Sequence, residues 1–333
     1  MKTVVSAVSA LALVFAFVAC NPDDGYKDEF IVTGDAIDVT DRCATLTGYV
    51  SLPYELRDAE VGIMYDKNTS FENGKKISAS WLYGKFTVVA IGLDPGTTYY
   101  FKAYVQGRMA VEGAVKSFST KESTSPDGAV DLEIVMTRDD GTTYKLYWAI
   151  SNLSESGLCA DPEDYGDHFA WGETEPKADY SWETYKWCNG SMTTLTKYNS
   201  SSGCGTVDNK TVLDPEDDAA HVKLGGKWRM PTDAEWTALR TQCTLSGTIR
   251  NGVDGLLVSA SNGNSIFLPS AGTRYNNGII EVGSSGCYWS SSLNASYYVG
   301  HPYEALGIMS TYWGMARYCG SRWPGNLIRP VTE

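Results

Sequence analysis

The amino-acid sequence predicts two folded domains, an all-β domain followed by an α+β domain, behind a short N-terminal segment. Short segments in which apolar and polar residues alternate fill positions 31–120, and no long helical pattern interrupts them. Two helix signatures and several strand-like runs occupy positions 130–333. Between the two regions, residues 121–129 are polar and contain Pro and Gly, which is typical of a linker.

The N-terminal segment predicts the compartment in which the protein works. Lys2 precedes an apolar run at positions 4–18, and Val18 and Ala19 lead directly to Cys20. This pattern resembles a bacterial lipoprotein signal with its lipobox, which implies removal of residues 1–19 and lipid attachment at Cys20. An uncleaved anchor is the alternative, but the run is shorter than the roughly 20 residues that a spanning helix needs.

Residues 20–30 form a polar, acidic tether with no apolar pattern. An acidic stretch directly after the lipid-bearing cysteine resembles the export signal that moves Bacteroidetes lipoproteins to the outer face of the outer membrane. The alternative is an ordinary solvated tether. We therefore expect a protein that is lipid-anchored in the outer membrane and exposed at the cell surface. The sequence does not decide between the external and the periplasmic leaflet of that membrane.

Composition and charge narrow the range of partners. Hydrophobic residues make up 43% of the chain, and the aromatic residues include twenty-one tyrosines and ten tryptophans, so the chain can build sizeable cores. The formal net charge is −13, which repels a polyanion. We expect no nucleic-acid partner, and a membrane contact only through the lipid at Cys20.

The cysteines fit an envelope protein but do not reveal their pairing. Seven cysteines follow Cys20, which is an odd number, so at least one thiol stays unpaired within a monomer. Cys43 lies in the first region and the other six lie in the second. Six cysteines allow 15 connectivities, and the sequence does not choose among them. They are Cys159, Cys188, Cys204, Cys243, Cys287 and Cys319.

The most specific part of the first region is 93–105, in which Leu93, Pro95 and Gly96 precede Tyr99 and an alternating strand. This pattern resembles the E–F corner and F strand of fibronectin type III domains. The resemblance implies a β-sandwich over residues 31–120 in which Tyr99 bonds back to the upstream backbone and buries its ring. Such a sandwich usually serves as a spacer, so we expect a stalk rather than a binding domain.

The second region carries two helix signatures. Asp214 is a good N-cap for a short helix, with Pro215 and two acidic residues in its first turn. Thr232 and Glu235 form a capping box ahead of a second helix. Strand-like runs follow, so the sequence predicts an α+β domain over residues 130–333.

Six motifs in this region occur in the same order as in the Fibrobacter succinogenes major paralogous domain, which the region resembles. They are 147–153 (YWAISNL), 168–174 (HFAWGET), 226–236 (GKWRMPTDAEW), 268–272 (LPSAG), 288–292 (YWSSS) and 328–331 (IRPV). That family is similar to the C-type-lectin-like fold and, more distantly, to formylglycine-generating enzymes. The resemblance implies a loop-rich antiparallel scaffold with two flanking helices, found commonly on Bacteroidetes surface lipoproteins.

Catalysis is not expected from the residues themselves. The formylglycine-generating relatives use a copper-binding cysteine pair, and Cys287 and Cys319 are the late cysteines to consider. Their surroundings do not match the relatives' motifs, which favours a disulfide or two inert thiols. A nucleophile-elbow glycine pattern is also missing. We therefore assign no catalytic residues.

We likewise assign no metal and no cofactor. Calcium-dependent lectins use a Glu-Pro-Asn or Gln-Pro-Asp loop with a Trp-Asn-Asp strand, and neither triplet occurs here. The acidic residues in 161–167 and 214–218 are interpreted as turn and helix-start acids. Calcium stays open as an alternative.

Aromatic residues interleaved with small polar ones crowd positions 288–323, a composition typical of binding surfaces. We expect about half of these rings to be buried, with Trp289 and Trp313 in the core. The expected ligand-binding residues, in exposed loops, are Tyr297, Tyr298, His301, Tyr303, Arg322 and Trp323.

The sequence therefore predicts a surface lipoprotein with a lectin-like head that binds an extracellular glycan or protein for adhesion. One alternative is an oxidase of the formylglycine-generating type, and another is a structural component of a surface appendage. A third follows from residues 327–331, which resemble the final strand of the variable proteins of diversity-generating retroelements and imply a diversified binding protein. Ligand identity and oligomeric state have no signature in the sequence.

Overall fold

A computed structural model of the chain describes residues 30–52, 58–79, 83–108, 110–294 and 301–333. These residues form a mostly β fold with short helices. The expected signal segment, Cys20, Tyr297 and Tyr298 lie outside the described residues. Among the helices that the structure does describe, none combines the length and the apolar character required to cross a bilayer.

Two antiparallel sheets pack face to face in the first third of the chain and form the N-terminal sandwich. One sheet has the order β1-β2-β5, and in the other β4-β3-β6 is extended by β7 and β8, which both pair with β6. The strands are β1 (Ile31–Ile37), β2 (Ala44–Ser51), β3 (Glu60–Asp66), β4 (Lys75–Ser78), β5 (Tyr83–Ala90), β6 (Thr98–Gln106), β7 (Ala110–Glu112) and β8 (Lys116–Ser119). The alternation of apolar and polar residues in the sequence corresponds to alternating burial in the strands. In β2, for example, every second residue is buried.

Tyr99 occupies the corner position that the sequence predicts. The backbone N–H of Asp94 donates a hydrogen bond to the Tyr99 hydroxyl at 3.0 Å. The ring is buried and stacks on Phe118 with centroids 5.7 Å apart. The predicted corner contact is therefore confirmed, and it ties the turn before β6 to the core of the sandwich.

The remainder of the chain, residues 129–333, is called the C-terminal part. Its longer strands are β9 (Ala129–Thr137), β10 (Thr143–Ala149), β13 (Thr244–Arg250), β14 (Val253–Ser259), β15 (Ser265–Pro269), β18 (Ser285–Leu293), β19 (Glu304–Thr311) and β20 (Gly314–Ser321). Its short strands are β11 (Leu153–Ser154), β12 (Gly157–Leu158), β16 (Thr273–Tyr275), β17 (Gly278–Ile280) and β21 (Val331–Thr332).

Three antiparallel three-stranded sheets surround the main core of the C-terminal part. Their orders are β9-β10-β21, β13-β14-β15 and β18-β19-β20, and two hairpins are formed by β11-β12 and β16-β17. Because β21 pairs with β10, the end of the chain lies beside the start of the C-terminal part. Trp148 and Trp236 meet in the core with ring centroids 4.6 Å apart.

The two helices are α1 (Ala219–Leu224) and α2 (Asp233–Gln242). The capping box of α2 is confirmed, with Thr232 and Glu235 each accepting a hydrogen bond from the other's backbone. The predicted N-cap of the first helix is wrong. Asp214 precedes only a 3₁₀ turn, Pro215–Asp217, whereas Asp218 caps α1 by accepting a hydrogen bond from the N–H of His221.

A third apolar cluster joins the N-terminal sandwich to the C-terminal part. Its fully packed members are Cys43, Ile91 and Phe267. The Ser265 N–H donates to the sulfur of Cys43 at 3.2 Å, and burial raises the pKa of this thiol to about 12. Cys43 and Ser265 lie 222 positions apart in the chain, so nothing local in the sequence indicates the contact.

Polar bonds reinforce the same contact. Arg250 donates to the carbonyl of Val89 at 2.6 Å and forms an ion pair with Glu163 at 2.7 Å. Thr40 donates to the side chain of Asn264 at 2.6 Å. Apolar and polar contacts together fix the orientation of the C-terminal part against the sandwich.

Candidate functional site

The expected ligand-binding residues divide between surface and core. His301 is exposed, and its ring stacks on Tyr303 with centroids 4.9 Å apart and planes 7° apart. Trp323 is half-buried and meets Tyr275 edge to face at 5.4 Å. Arg322 is fully buried, so its expected place in an exposed loop is wrong.

Five partly exposed rings form what we call the aromatic cluster: Trp182, Tyr275, His301, Tyr303 and Trp323. Three of them, Trp182, Tyr303 and Trp323, pack against one small buried core. The buried residues of that core are Ala170, Tyr180, Tyr185, Cys188 and Leu195. Because three of the rings share one buried base, the aromatic cluster offers ring faces at low conformational cost.

Arg322 supports the aromatic cluster from below. Its guanidinium lies 5.5 Å from the ring centroids of both Trp171 and Tyr185 and donates to the backbone carbonyls of Lys197 and Tyr198. A planar guanidinium can lie against aromatic rings while it bonds in its own plane, although Nε and Nη2 of Arg322 have no partner among the described residues. Arg322 is therefore a buried residue that bonds the loop at 197–198 through Nη1.

Tyr180 holds the neighbouring loops together. Its hydroxyl donates to the carbonyl of His168, and its ring lies between Lys177 at 5.5 Å and Arg274 at 5.7 Å. His168 is itself buried next to this ring. Burial lowers the pKa of His168 to about 4, and the positive charge of Arg274 acts in the same direction. The imidazole is thus neutral at pH 7.

Acidification from pH 6.5 to 4 is expected to lower the free energy of unfolding by up to about 3 kcal/mol through His168 alone. In this window the unfolded chain binds a proton that the folded state excludes, because the folded pKa lies below the ordinary value. Urea unfolding of the wild-type and His168→Asn proteins at several pH values measures the difference. Equal slopes for His168→Asn and wild type would refute the assignment.

The two core tryptophans predicted from the sequence have opposite outcomes. Trp289 is fully buried, and its indole N–H donates to the carbonyl of Phe169 at 2.8 Å, so that prediction is confirmed. Trp313 is 91% exposed at the turn between β19 and β20, so that prediction is wrong. A two-residue hairpin turn has no interior to fill, and its side chains project into solvent.

A pocket of about 440 Å³ lies between α1 and the turn at 225–229, where the sequence gives no expected site. Two glycines with positive φ, +68° at Gly225 and +59° at Gly226, shape this turn and are its signal in the sequence. The buried carboxylate of Asp218 accepts hydrogen bonds from the backbone of α1 and of Met230. Burial raises the pKa of Asp218 above its ordinary value. Because its acceptors are already engaged, we assign this carboxylate a structural role.

One group of acidic residues in the described part of the chain has the spacing of a metal site, namely Asp214, Glu216 and Asp217. The ammonium of Lys197 lies 2.6 Å from carboxylate oxygens of Asp214 and Asp217 and 3.7 Å from Glu216. Burial would lower the pKa of Lys197, but the carboxylates of Asp214 and Asp217 more than offset it and raise the pKa. A lysine thus already supplies the positive charge between these acids.

The sheet β18-β19-β20 keeps Cys287 and Cys319 apart. Cys287 pairs with Met309 and Cys319 with Leu306, so they lie on the two outer strands and three positions apart along β19. This offset amounts to about 10 Å along the strand and about 9.5 Å across it, too far for a disulfide or a shared metal ion. The disulfide interpretation of this pair is wrong, and all seven cysteines in the described ranges are free thiols.

Comparison with known proteins does not identify a family for this chain. No protein-family model matches the chain, and no curated protein matches it. Two structures of the sensor domain of the anti-sigma factor RsgI4 from Pseudobacteroides cellulosolvens are 21% and 20% identical, each with a TM-score of 0.24. They cover 28% and 29% of this chain, and 94% and 79% of their own. A fibronectin type III domain from human KIAA0970 protein is 17% identical, covers 33% of this chain and 90% of its own, and has a TM-score of 0.21. A likeness at this level indicates neither the fold nor the function of the chain.

Proposed function

We propose that the protein is a lipid-anchored surface protein that binds an extracellular glycan or protein through the aromatic cluster. The observation that carries the proposal is that three partly exposed rings pack on one buried core, and that two further rings contact them, one stacked and one edge to face. Rigid amphipathic rings give large contact areas, and their edges and hydroxyls supply hydrogen bonds. Tyr297 and Tyr298, which lie outside the described residues, belong to the same proposed surface by sequence.

We propose further that the N-terminal sandwich is a fibronectin type III-like stalk and that residues 130–333 form a C-type-lectin-like head. The contact between Tyr99 and Asp94 supports the first assignment. The pairing of β21 with β10, which brings both ends of the C-terminal part together, supports the second. The apolar cluster of Cys43, Ile91 and Phe267 then sets the angle at which the stalk presents the head.

We propose that a lipid at Cys20 anchors the chain in the outer membrane with this head outside the cell. The polar tether of residues 20–30 gives it reach, and the net charge of −13 keeps it away from nucleic acids. Labelling cells with a palmitate analogue tests the anchor. Wild-type protein should incorporate the label and remain in the membrane fraction, whereas Cys20→Ala should do neither; labelling of Cys20→Ala would contradict the assignment.

The ligand is sought with the full chain on arrays of glycans and extracellular proteins. We expect at least one ligand whose binding is lost with His301→Ala and Tyr303→Ala, because both side chains belong to the aromatic cluster. Tyr165→Ala removes an exposed tyrosine ring outside the aromatic cluster and serves as the control. Ligands that bind both cluster variants as well as wild type would show that another surface is used.

A further inference from the structure

The turn between β19 and β20 presents two aromatic rings outside the aromatic cluster. Thr311 and Gly314 close the turn, and Tyr312 and Trp313 lie at its tip. Trp313 is 91% exposed and Tyr312 is 48% exposed. Both rings are therefore accessible to another molecule.

The tip is held rigidly against β13. A Cβ atom at Gly247 would lie 2.1 Å from the carbonyl oxygen of Tyr312 and 2.6 Å from its ring. Glycine at this position therefore allows the backbone of the turn to rest directly on the strand. In addition, the N–H of Trp313 donates to the hydroxyl of Thr311 at 3.3 Å. The backbone of the turn is therefore held against β13, while the indole of Trp313 projects into solvent.

The two rings form a right-angled corner. Their centroids are 5.3 Å apart and their planes are inclined by 79°. Because Trp313 is almost fully exposed, the negative face of its π-system is open to a cation. Tryptophan is the aromatic residue that attracts cations most strongly.

An unpaired carboxylate lies close to this corner. Asp254 is directly opposite Ile249 in the β13-β14 pair, which makes it a diagonal neighbour of Gly247 at about 7–8 Å. The Asp254 side chain is half-buried and has neither an ion pair nor a hydrogen bond among the described residues. The nearby cation Arg317 is already paired with Asp233 at 2.9 Å. Of these two charged side chains, Asp254 is the one without a partner among the described residues.

We propose that Tyr312, Trp313 and Asp254, together called the hairpin-tip site, bind a basic segment of a partner protein through a lysine or arginine side chain. The indole face attracts the cation, and Asp254 supplies the matching charge. The net charge of −13 adds long-range attraction for such a partner. Ile249, directly opposite Asp254, is 55% exposed, and such an apolar neighbour suits the methylene stem of a lysine or arginine side chain.

The test uses the full chain and a fluorescent peptide in which lysines alternate with glycine and serine. The same peptide with acetylated lysines is the matched probe without charge. Fluorescence anisotropy should show binding of the first peptide alone, weakened about fivefold by Trp313→Ala. Asp254→Asn should weaken binding more than Asp140→Asn, which removes the same charge from an exposed turn elsewhere.

The proposal is overturned if Trp313→Ala binds the lysine peptide as tightly as wild type, or if the two aspartate variants weaken it equally. In either case the attraction is a property of the net charge alone. Binding of a neutral oligosaccharide that depends on Trp313, without binding of the peptide, would also overturn it. His301→Ala and Tyr303→Ala should leave peptide binding unchanged, which separates this site from the aromatic cluster.

Discussion

Replacing Glu235 with glutamine is expected to lower the free energy of unfolding by about 2–3 kcal/mol, because the change removes a fully buried carboxylate and leaves several of its hydrogen-bond donors without an acceptor. Glu235 is fully buried and bonds both terminal nitrogens of Arg229, at 2.7 and 2.6 Å. It also accepts hydrogen bonds from the Tyr144 hydroxyl and the Thr232 N–H, each at 2.8 Å. An uncharged amide cannot satisfy these four donors together.

Urea unfolding measures this loss, and Asp233→Asn is the control. Asp233 also lies in the first turn of α2, but its ion pair with Arg317 is largely exposed, so its loss should cost less than about 1 kcal/mol. Burial would raise the pKa of Glu235, yet Arg229 more than offsets it and holds the pKa below the ordinary value. The stability that Glu235 contributes is therefore present above the pKa of the unfolded chain. It is lost as the pH falls through the lower pKa that Glu235 has in the folded protein. Equal losses for the two variants would contradict this account.

Phe267→Ala is expected to destabilise the protein by about 3–5 kcal/mol and to uncouple its two parts. The Phe267 side chain is fully buried between the N-terminal sandwich and the C-terminal part. Removing it opens a cavity at the contact where Cys43 and Ile91 pack. In differential scanning calorimetry, the wild-type protein should unfold in one transition and the variant in two.

Phe30→Ala is the matched control, since it removes a ring that is 45% exposed at the start of the sandwich. It should keep the single transition and cost little. A single transition for Phe267→Ala at the wild-type temperature would show that this contact does not couple the two parts.

Features with a local or motif signal were predictable from the sequence. The corner at Tyr99 and the capping box of Thr232 and Glu235 depend on residues a few positions apart, and both are confirmed. The position of Asp218 was missed because Asp214 and Pro215 fit a helix start equally well. Only the backbone geometry shows that those two residues begin a 3₁₀ turn rather than α1.

The predictions that failed depend on contacts distant in the chain. The sequence predicts an exposed cation at Arg322, because nothing near it in the chain indicates that Trp171 and Tyr185 lie beside its guanidinium. Trp313 reads as a core residue because a hairpin turn and a buried strand can carry the same aromatic composition. The contact between Cys43 and Phe267 has no periodicity or spacing to reveal it, which is why the sequence suggests a linker between independent domains.

The most direct measurement is isothermal titration calorimetry of an array-identified ligand with the wild-type, Trp323→Ala and Tyr165→Ala proteins. Truncating a central aromatic anchor of an interface typically costs more than about 1–2 kcal/mol. If the aromatic cluster is the binding surface, Trp323→Ala should weaken the affinity about tenfold or more. Tyr165→Ala should bind the ligand like wild type. Equal affinity for Trp323→Ala and wild type would contradict this prediction.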